Sequence, residues 1–311
     1  MRRDAVLAVV RAAPPAPPVA RVAAEAVRAR HAGGGVLGFL LYGSSLRAPG
    51  DEALMIDLYA VAARYDRFHA ARGLGPVRAR LRALLSHALP PDVFTLRFRD
   101  PGGTERAVKY AVVTLDALER RCAGGLESTF WARFAQGTAI IDPVDEGVAA
   151  RLERACADAA LTLAAASEGL SGARPTASAF WAAGLAESYR TELRAEAPRA
   201  RAEAIVAAER ARFEALGAAI YGQLDAAGRL AVGAARAPRM AWAARRLVGK
   251  PATVLRVLKA AFTFEGGVDY ALDKIERHSG VALTLTPSQR RHPLLWSPVL
   301  LWRVVRAGAW R

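Results

Sequence analysis

Cysteine, methionine and lysine are scarce in this chain of 311 residues, and each scarcity excludes something. Cys122 and Cys156 are too few for a disulfide framework and sit at no metal-ligand spacing, which leaves a reducing compartment as the default. No run of about twenty apolar residues occurs, so no helix is expected to span a bilayer. The N-terminal MRRDAVLAVVRAAPPAPP does not read as a signal peptide: Asp4 interrupts its basic region, the apolar core is about six residues long, and Arg11 follows it. His31, His69, His87, His278 and His292 form no ligand pattern, and VGKPAT around Lys250 lacks the preceding glycine of a phosphate-binding loop. Acidic residues are the minority charge, 29 against 44 basic, for a formal net charge of +15. That excess is read either as a surface for an anionic partner (nucleic acid, nucleotide or acidic lipid) or as a bias of composition, since nearly all of it is Arg in an Ala-rich chain.

What is present is apolar enough to fold. Hydrophobic residues make up 53% of the chain, and its length suits about two domains. Pro14 to Pro18 reads as a linker or arm. Val19 to His31 has helical periodicity and stops at three glycines, Gly33 to Gly35. VLGFLLYG and ALMIDLYAVA read as buried strands, with Gly50 and Asp51 in the turn between them, and Tyr65 to Leu89 reads as helix. VFTLRFRD and ERAVKYAVVTLD alternate as strands around the turn DPGGT, a hairpin, and TAIID adds a short strand. After Asp142-Pro143 the chain becomes Ala- and Arg-rich with helical spacing. Breaks near Gly169, Pro198, Gly228, Pro238 and Gly249-Lys250-Pro251 divide it into four to six helices. The Arg-rich stretch 194–212 is read as a solvated face.

Three features of the N-terminal half point to chemistry. Gly43, Ser44 and Ser45 follow directly on an apolar strand; a glycine there lets the backbone turn sharply toward a ligand, and the hydroxyls add donors. Asp57 lies among Met55, Ile56, Leu58 and Tyr59. An ionised carboxylate so placed costs several kcal/mol unless it has a partner, either a divalent cation shared with phosphate oxygens or an arginine. Lys109 interrupts the apolar strand AVKYAVV in a chain with only three other lysines, Lys250, Lys259 and Lys274. A compact ammonium suits a tight phosphate site, although a strand lysine can also point to solvent.

A strand, Gly-Ser, twelve residues and an Asp inside an apolar strand is a layout similar to that of the polymerase-β-like nucleotidyltransferase superfamily. The usual second carboxylate two positions on is replaced by Tyr59. YGSS…MIDLYAVA, KYAVVTLDALERR and TFWARFAQGTAII, in that order, together with FEGGVDYALDKIERHSG, resemble the mitochondrial translocator assembly and maintenance family of phosphatidate cytidylyltransferases. That family's Lys-Tyr-Gly-Val matches Lys109-Tyr110-Ala111-Val112, and its Gly-Arg-Leu matches Ala132-Arg133-Phe134 with Ala in place of Gly. The resemblance covers Leu37 to Ile141 and Phe262 to Gly280; the helices between match only loosely.

The segment pattern reads as an α+β fold, with an N-terminal arm at 1–18 and a mixed sheet at 19–143 that the resemblance makes nucleotidyltransferase-type. A mostly helical domain at 144–280 and an amphipathic membrane-surface tail at 281–311 would follow. The resemblance implies synthesis of CDP-diacylglycerol and pyrophosphate from CTP and phosphatidic acid with Mg²⁺. Gly43, Ser44 and Ser45 would contact the CTP phosphates, Asp57 would hold Mg²⁺, and Lys109 and Arg133 would contact phosphate. In the tail, Trp296, Trp302 and Trp310 are headgroup-level residue types, and Arg303 and Arg306 share a side beside the apolar Val299 to Val305. That tail reads as a helix lying on an anionic membrane or packed on the protein's own core; a lipid substrate favours the membrane. The expected setting is cytoplasmic, peripheral on the inner face of the membrane (the matrix side in a mitochondrion), with no stable nucleic-acid partner. The other readings are a nucleotidyltransferase acting on another acceptor, and a catalytically degenerate fold whose basic helices bind nucleic acid, which Tyr59 favours.

Overall fold

The computed structural model describes residues 2–48, 55–192, 197–233, 238–263 and 285–291, with isolated positions 296, 299, 302, 303 and 306 beyond them. Among these residues lies a five-stranded mixed sheet of order β3-β4-β2-β1-β5, flanked by helices: an α+β fold. The strands are β1 (Val36–Tyr42), β2 (Ile56–Ala62), β3 (Asp92–Arg99), β4 (Glu105–Thr114) and β5 (Thr138–Ile141). β1 runs antiparallel to β2 and β5, β3 antiparallel to β4, and β2 parallel to β4. A parallel neighbour needs a crossover connection. Here it consists of α4 (Tyr65–Ala70), α5 (Pro76–Ala88) and β3.

β1 and β2 are nearly unbroken apolar runs because both faces of the sheet are covered. Leu40, Tyr59, Val61 and Val113 enter one core, and Phe39, Leu41, Leu58, Ala60 and Val112 enter the other. The second core is closed by α2 (Pro18–Arg30), which starts on a proline and buries Ala20, Ala23, Ala24 and Val27 at helical spacing. Arg28 of α2 donates to the carbonyls of Val36 and Asp142, fastening the start of β1 to the chain after β5. On this side His31 is stacked on Phe68 and bonded to the Tyr110 hydroxyl at 2.9 Å; burial, helped by Arg72 and Arg30, lowers its pKa to about 3.

The first core is larger and is shared with the helices that follow the sheet. α6 (Leu115–Cys122), α7 (Ser128–Phe134), α8 (Glu146–Ser167), α9 (Ala177–Arg190), α10 (Pro198–Ala208) and α11 (Arg210–Tyr221) all contribute to it. Asp145 caps α8 by accepting from the Val148 amide at 2.7 Å, and Thr176 caps α9. Gly184 lets α9 cross α8 closely: a Cβ there would lie 1.9 Å from Ser167 Oγ.

Several expectations change. Residues expected in an arm form α1 (Arg2–Arg11), whose Val6 and Val10 are buried in the first core against α8 and α11. That core takes residues from both sides of the expected boundary at 143/144, so sheet and helices share one interior. Tyr65 to Leu89 divides into α4 and α5 around Gly73 and Gly75. Gly249-Lys250-Pro251 does not break the chain but lies within α12 (Arg239–Thr263). Gly249 is there for proximity, since a Cβ would meet the Thr191 carbonyl oxygen at 2.6 Å. A short helix, α13 (Pro287–Arg291), is the last continuous element described.

At the outer edge of the sheet, Asp92 is 1% exposed. Its Oδ1 accepts from Lys259 of α12 at 2.8 Å, and its Oδ2 accepts from Ser86 and lies 3.3 Å from His69 Nε2. Burial alone would raise the Asp92 pKa, but His69, Lys259 and Ser86 outweigh it and hold it down at about 2.

Candidate functional site

Gly43 ends β1 with φ +86°, a conformation that glycine adopts at no steric cost, and the chain turns into the single-turn helix α3 (Ser44–Arg47). Asp57, at the start of β2, is the register partner of Lys109 on β4, so both side chains leave the same face of the sheet. Lys109 Nζ stands 3.0 Å from Asp57 Oδ1, with the two side chains 31% and 24% exposed. Asp57 Oδ2 faces the glycine turn: a Cβ on Gly43 would lie 3.7 Å from it. The acid inside an apolar strand therefore has a partner in the protein, a lysine 52 positions on. The lysine, for its part, does not stand alone on the strand face.

Tyr59, two residues after Asp57, shares that face and is buried. Its hydroxyl accepts from Arg133 Nη1 of α7 at 2.6 Å. The Arg133 guanidinium also sits over the rings of Tyr42 and Tyr59, 5.1 and 5.7 Å from their centroids. Burial raises the pKa of both phenols, that of Tyr42 to about 12, so both are neutral at pH 7. Burial opposes the charge of Arg133, yet Tyr59, Tyr42 and Glu192 together hold its pKa above the ordinary arginine value. Where a second carboxylate was expected, the chain thus has a phenol that orients a buried cation.

Gly43, Ser44, Asp57, Lys109 and Arg133 line one cleft of about 180 Å³. The sequence brought out these five; the rest of the lining, contributed mainly by helices and called the far wall below, it did not. Thr129 of α7, Gln136, and Ser188 and Tyr189 of α9 contribute to that wall, as do Glu192 and Arg201 of α10. Arg47 of α3 completes the rim and is paired with Glu209 at 3.1 Å, while Glu209 also accepts from the Gly137 amide. Ser45 departs from expectation: it is 9% exposed, is not among the cleft residues, and its hydroxyl has no hydrogen-bond partner. The signal for the far wall was weak, because Arg201 lies in an arginine-rich helix that reads as a solvated face.

The cleft combines four basic side chains with two carboxylates, Asp57 and Glu192, an arrangement suited to an anionic ligand. No group of three or more His, Cys, Asp or Glu side chains able to hold a metal occurs among the described residues. Asp57 alone fits a hard divalent cation only when the ligand supplies the remaining oxygens, as Mg²⁺ held by one or two carboxylates and substrate phosphates requires. Its Oδ2, facing the glycine turn, is the oxygen that would bind such an ion, Oδ1 being taken by Lys109.

Of the expected membrane residues, Trp296 and Trp302 are 37% and 57% exposed, Arg303 and Arg306 are exposed, and Arg306 sits over the Trp302 ring at 4.9 Å. Trp310 lies outside the described residues, as do the Gly50–Asp51 turn and nearly all of the stretch from Phe262 to Gly280. No helix among the described residues is long and apolar enough to cross a membrane. Compared with known proteins, the chain matches no family model and no curated protein.

Proposed function

We propose that the chain is a nucleotidyltransferase of the phosphatidate cytidylyltransferase kind. It would make CDP-diacylglycerol and pyrophosphate from CTP and phosphatidic acid with Mg²⁺, working as a peripheral protein on an anionic membrane surface. The observation that carries this reading is the meeting of the Gly43 turn, Asp57 and Lys109 in one cleft, with Asp57 and Lys109 on adjacent parallel strands. The order of motifs along the sequence narrows the acceptor to phosphatidate.

In this reading the Gly43–Ser44 turn receives the triphosphate. Lys109 and Arg133 neutralise charge on the transferring phosphoryl group, and Tyr59 keeps Arg133 aimed into the cleft. Asp57 would hold Mg²⁺, which when bound would supply further charge neutralisation and alignment. A phosphatidate oxygen attacks the α-phosphorus of CTP, forming one P–O bond as the bond to the pyrophosphate oxygen breaks. A phosphate monoester is already nucleophilic near neutral pH, so no general base is assigned. The far wall, with Tyr189 and Arg201, is left for the nucleoside or the acceptor headgroup. The exposed Trp296, Trp302, Arg303 and Arg306 serve the membrane.

The test is radiolabelled CTP with phosphatidate-containing vesicles and Mg²⁺, scored for CDP-diacylglycerol. Product that depends on both substrates supports the reading. Its absence with CTP and with other nucleoside triphosphates favours the non-catalytic alternative, which draws on the direct Asp57–Lys109 pair and on Tyr59 at the second carboxylate position. Transfer to a different acceptor would keep the nucleotide half of the proposal and discard the lipid half.

A further inference from the structure

Helix α5 is packed the wrong way round for a helix that ends its contacts in water. Its small residues Ala79, Ala83 and Ser86 face the protein and are buried. Its large apolar residues face outward: Val77, Leu81, Leu84 and Leu85 are 78%, 60%, 66% and 52% exposed. At helical spacing these four form one stripe about 100° wide. Arg78 and Arg82 border it on one side, Arg80 and His87 on the other, and the helix contains no acidic residue.

α12 repeats the pattern. Trp242 and Gly249 face inward, while Met240, Leu247, Val248 and Leu255 form a single outward stripe, 88%, 78%, 43% and 52% exposed. This helix too is free of acidic residues across its 25 positions and carries Arg239, Lys250 and four further basic residues. Its later turns reach the chain just beyond α5: Arg256 donates to the Pro90 carbonyl at 2.7 Å, and Lys259 pairs with Asp92. Scattered exposed leucines need no explanation; two stripes, each on a helix that carries a single sign of charge, do.

We propose that α5 and α12 form a docking surface for an anionic lipid bilayer. The charge distribution selects this occupant. A second copy docked face to face across a two-fold axis would set each α5, with its arginines and no acid, against the same helix of its mate. An anionic bilayer instead accepts the apolar stripes at the boundary of headgroups and acyl chains, and it attracts the bordering arginines. The body of the protein then contacts the membrane itself, in addition to any contact made after residue 291. The proposal rests on the peripheral membrane setting proposed above and not on the reaction; its test uses neither CTP nor phosphatidate, so failure of docking is distinguishable from failure of the reaction.

The experiment is flotation of the full chain with vesicles of phosphatidylcholine containing phosphatidylglycerol, and with phosphatidylcholine alone. Wild type is expected to partition onto the anionic vesicles and to lose binding as salt rises. Leu81→Ser/Leu84→Ser and Leu247→Ser/Leu255→Ser change exposed side chains and are each expected to lower the partition coefficient about tenfold, with melting temperature and far-UV circular dichroism unchanged. Arg78→Gln/Arg80→Gln, which cannot open a core, is expected to weaken binding about tenfold at low salt. Failure of wild type to bind anionic vesicles, or binding by all three variants as strong as that of wild type, overturns the proposal. So does a dimer that the leucine variants dissociate while vesicle binding persists, the sign of a second copy. A fall in melting temperature with vesicle binding unchanged also overturns it, because the stripes would then be covered by the chain's own C-terminal segment.

Discussion

Two aspartates on strands of this sheet are each paired with a lysine, Lys109 of β4 and Lys259 of α12, and the pairs differ in what surrounds them. Asp92–Lys259 is sealed at the sheet edge: the carboxylate is 1% exposed, and His69 and Ser86 fill its remaining valence. Asp57–Lys109 opens onto a cleft, with both side chains about a quarter to a third exposed and one carboxylate oxygen facing a glycine turn. A charged residue in an apolar strand is therefore no site in itself. What separates a structural pair from a candidate functional one is the coordination left over, and whether the backbone beside it leaves room. Substitutions at the two pairs are expected to have opposite signatures.

The largest effect is expected at the open pair. Asp57→Asn should lower CDP-diacylglycerol formation by about a thousandfold or more, some 4 kcal/mol of transition-state stabilisation, while the melting temperature stays nearly constant because the partly exposed pair contributes little to folding. Normal turnover would break the comparison at once. The sealed pair should behave the other way. Asp92→Asn leaves Lys259 buried without its counter-ion and is expected to cost about 3 kcal/mol in urea unfolding, with turnover per folded molecule preserved.

The pH dependence of stability sharpens the contrast. Asp92 is held at about 2, below its ordinary 3.8, so its folded form resists protonation that the unfolded chain accepts. Its contribution is present above about pH 4 and is lost as pH falls toward 2, about 2 kcal/mol in all. The difference in stability between wild type and Asp92→Asn should therefore narrow across that window and stay flat above it. A gap that stays constant down to pH 2 would detach the shift from this carboxylate. The smallest effect is expected at Tyr59→Phe, which removes one bond to the buried Arg133 guanidinium. A loss of about 1 to 2 kcal/mol, seen as a roughly five- to thirtyfold fall in kcat/KM, would mark Tyr59 as a positioning residue.

The sequence revealed the near side of the cleft and little of the far side. β1, β2 and the β3–β4 hairpin stand out because apolar runs end in glycine-rich turns. Asp57 and Lys109 stand out because a charge is conspicuous within such a run. That they pair with each other follows from the parallel register of β2 and β4, which no local pattern encodes. Arg201, Tyr189 and Glu192 were illegible for the opposite reason: in Ala- and Arg-rich helices, a polar residue facing a cleft looks the same as one facing water. Local rules also misread Gly249 and Pro251. Glycine next to proline signals a break, but Gly249 is required by the approach of α12 to Thr191, and the helix continues through it. The N-terminal helix α1 was missed because its two buried valines have their partners on α8 and α11, more than a hundred residues away.

The central claim is that the cleft beside Gly43 is a nucleotide site in which Asp57 and Lys109 share one triphosphate. Isothermal titration of CTP in the presence of Mg²⁺ tests it without reference to any acceptor. The account predicts one site per chain on wild type, with affinity at least tenfold weaker in both Asp57→Asn and Lys109→Ala. It also predicts that Asp92→Asn, examined at a temperature where it is folded, binds as wild type does. Absence of binding to wild type, or equal affinity in all of these chains, would contradict it.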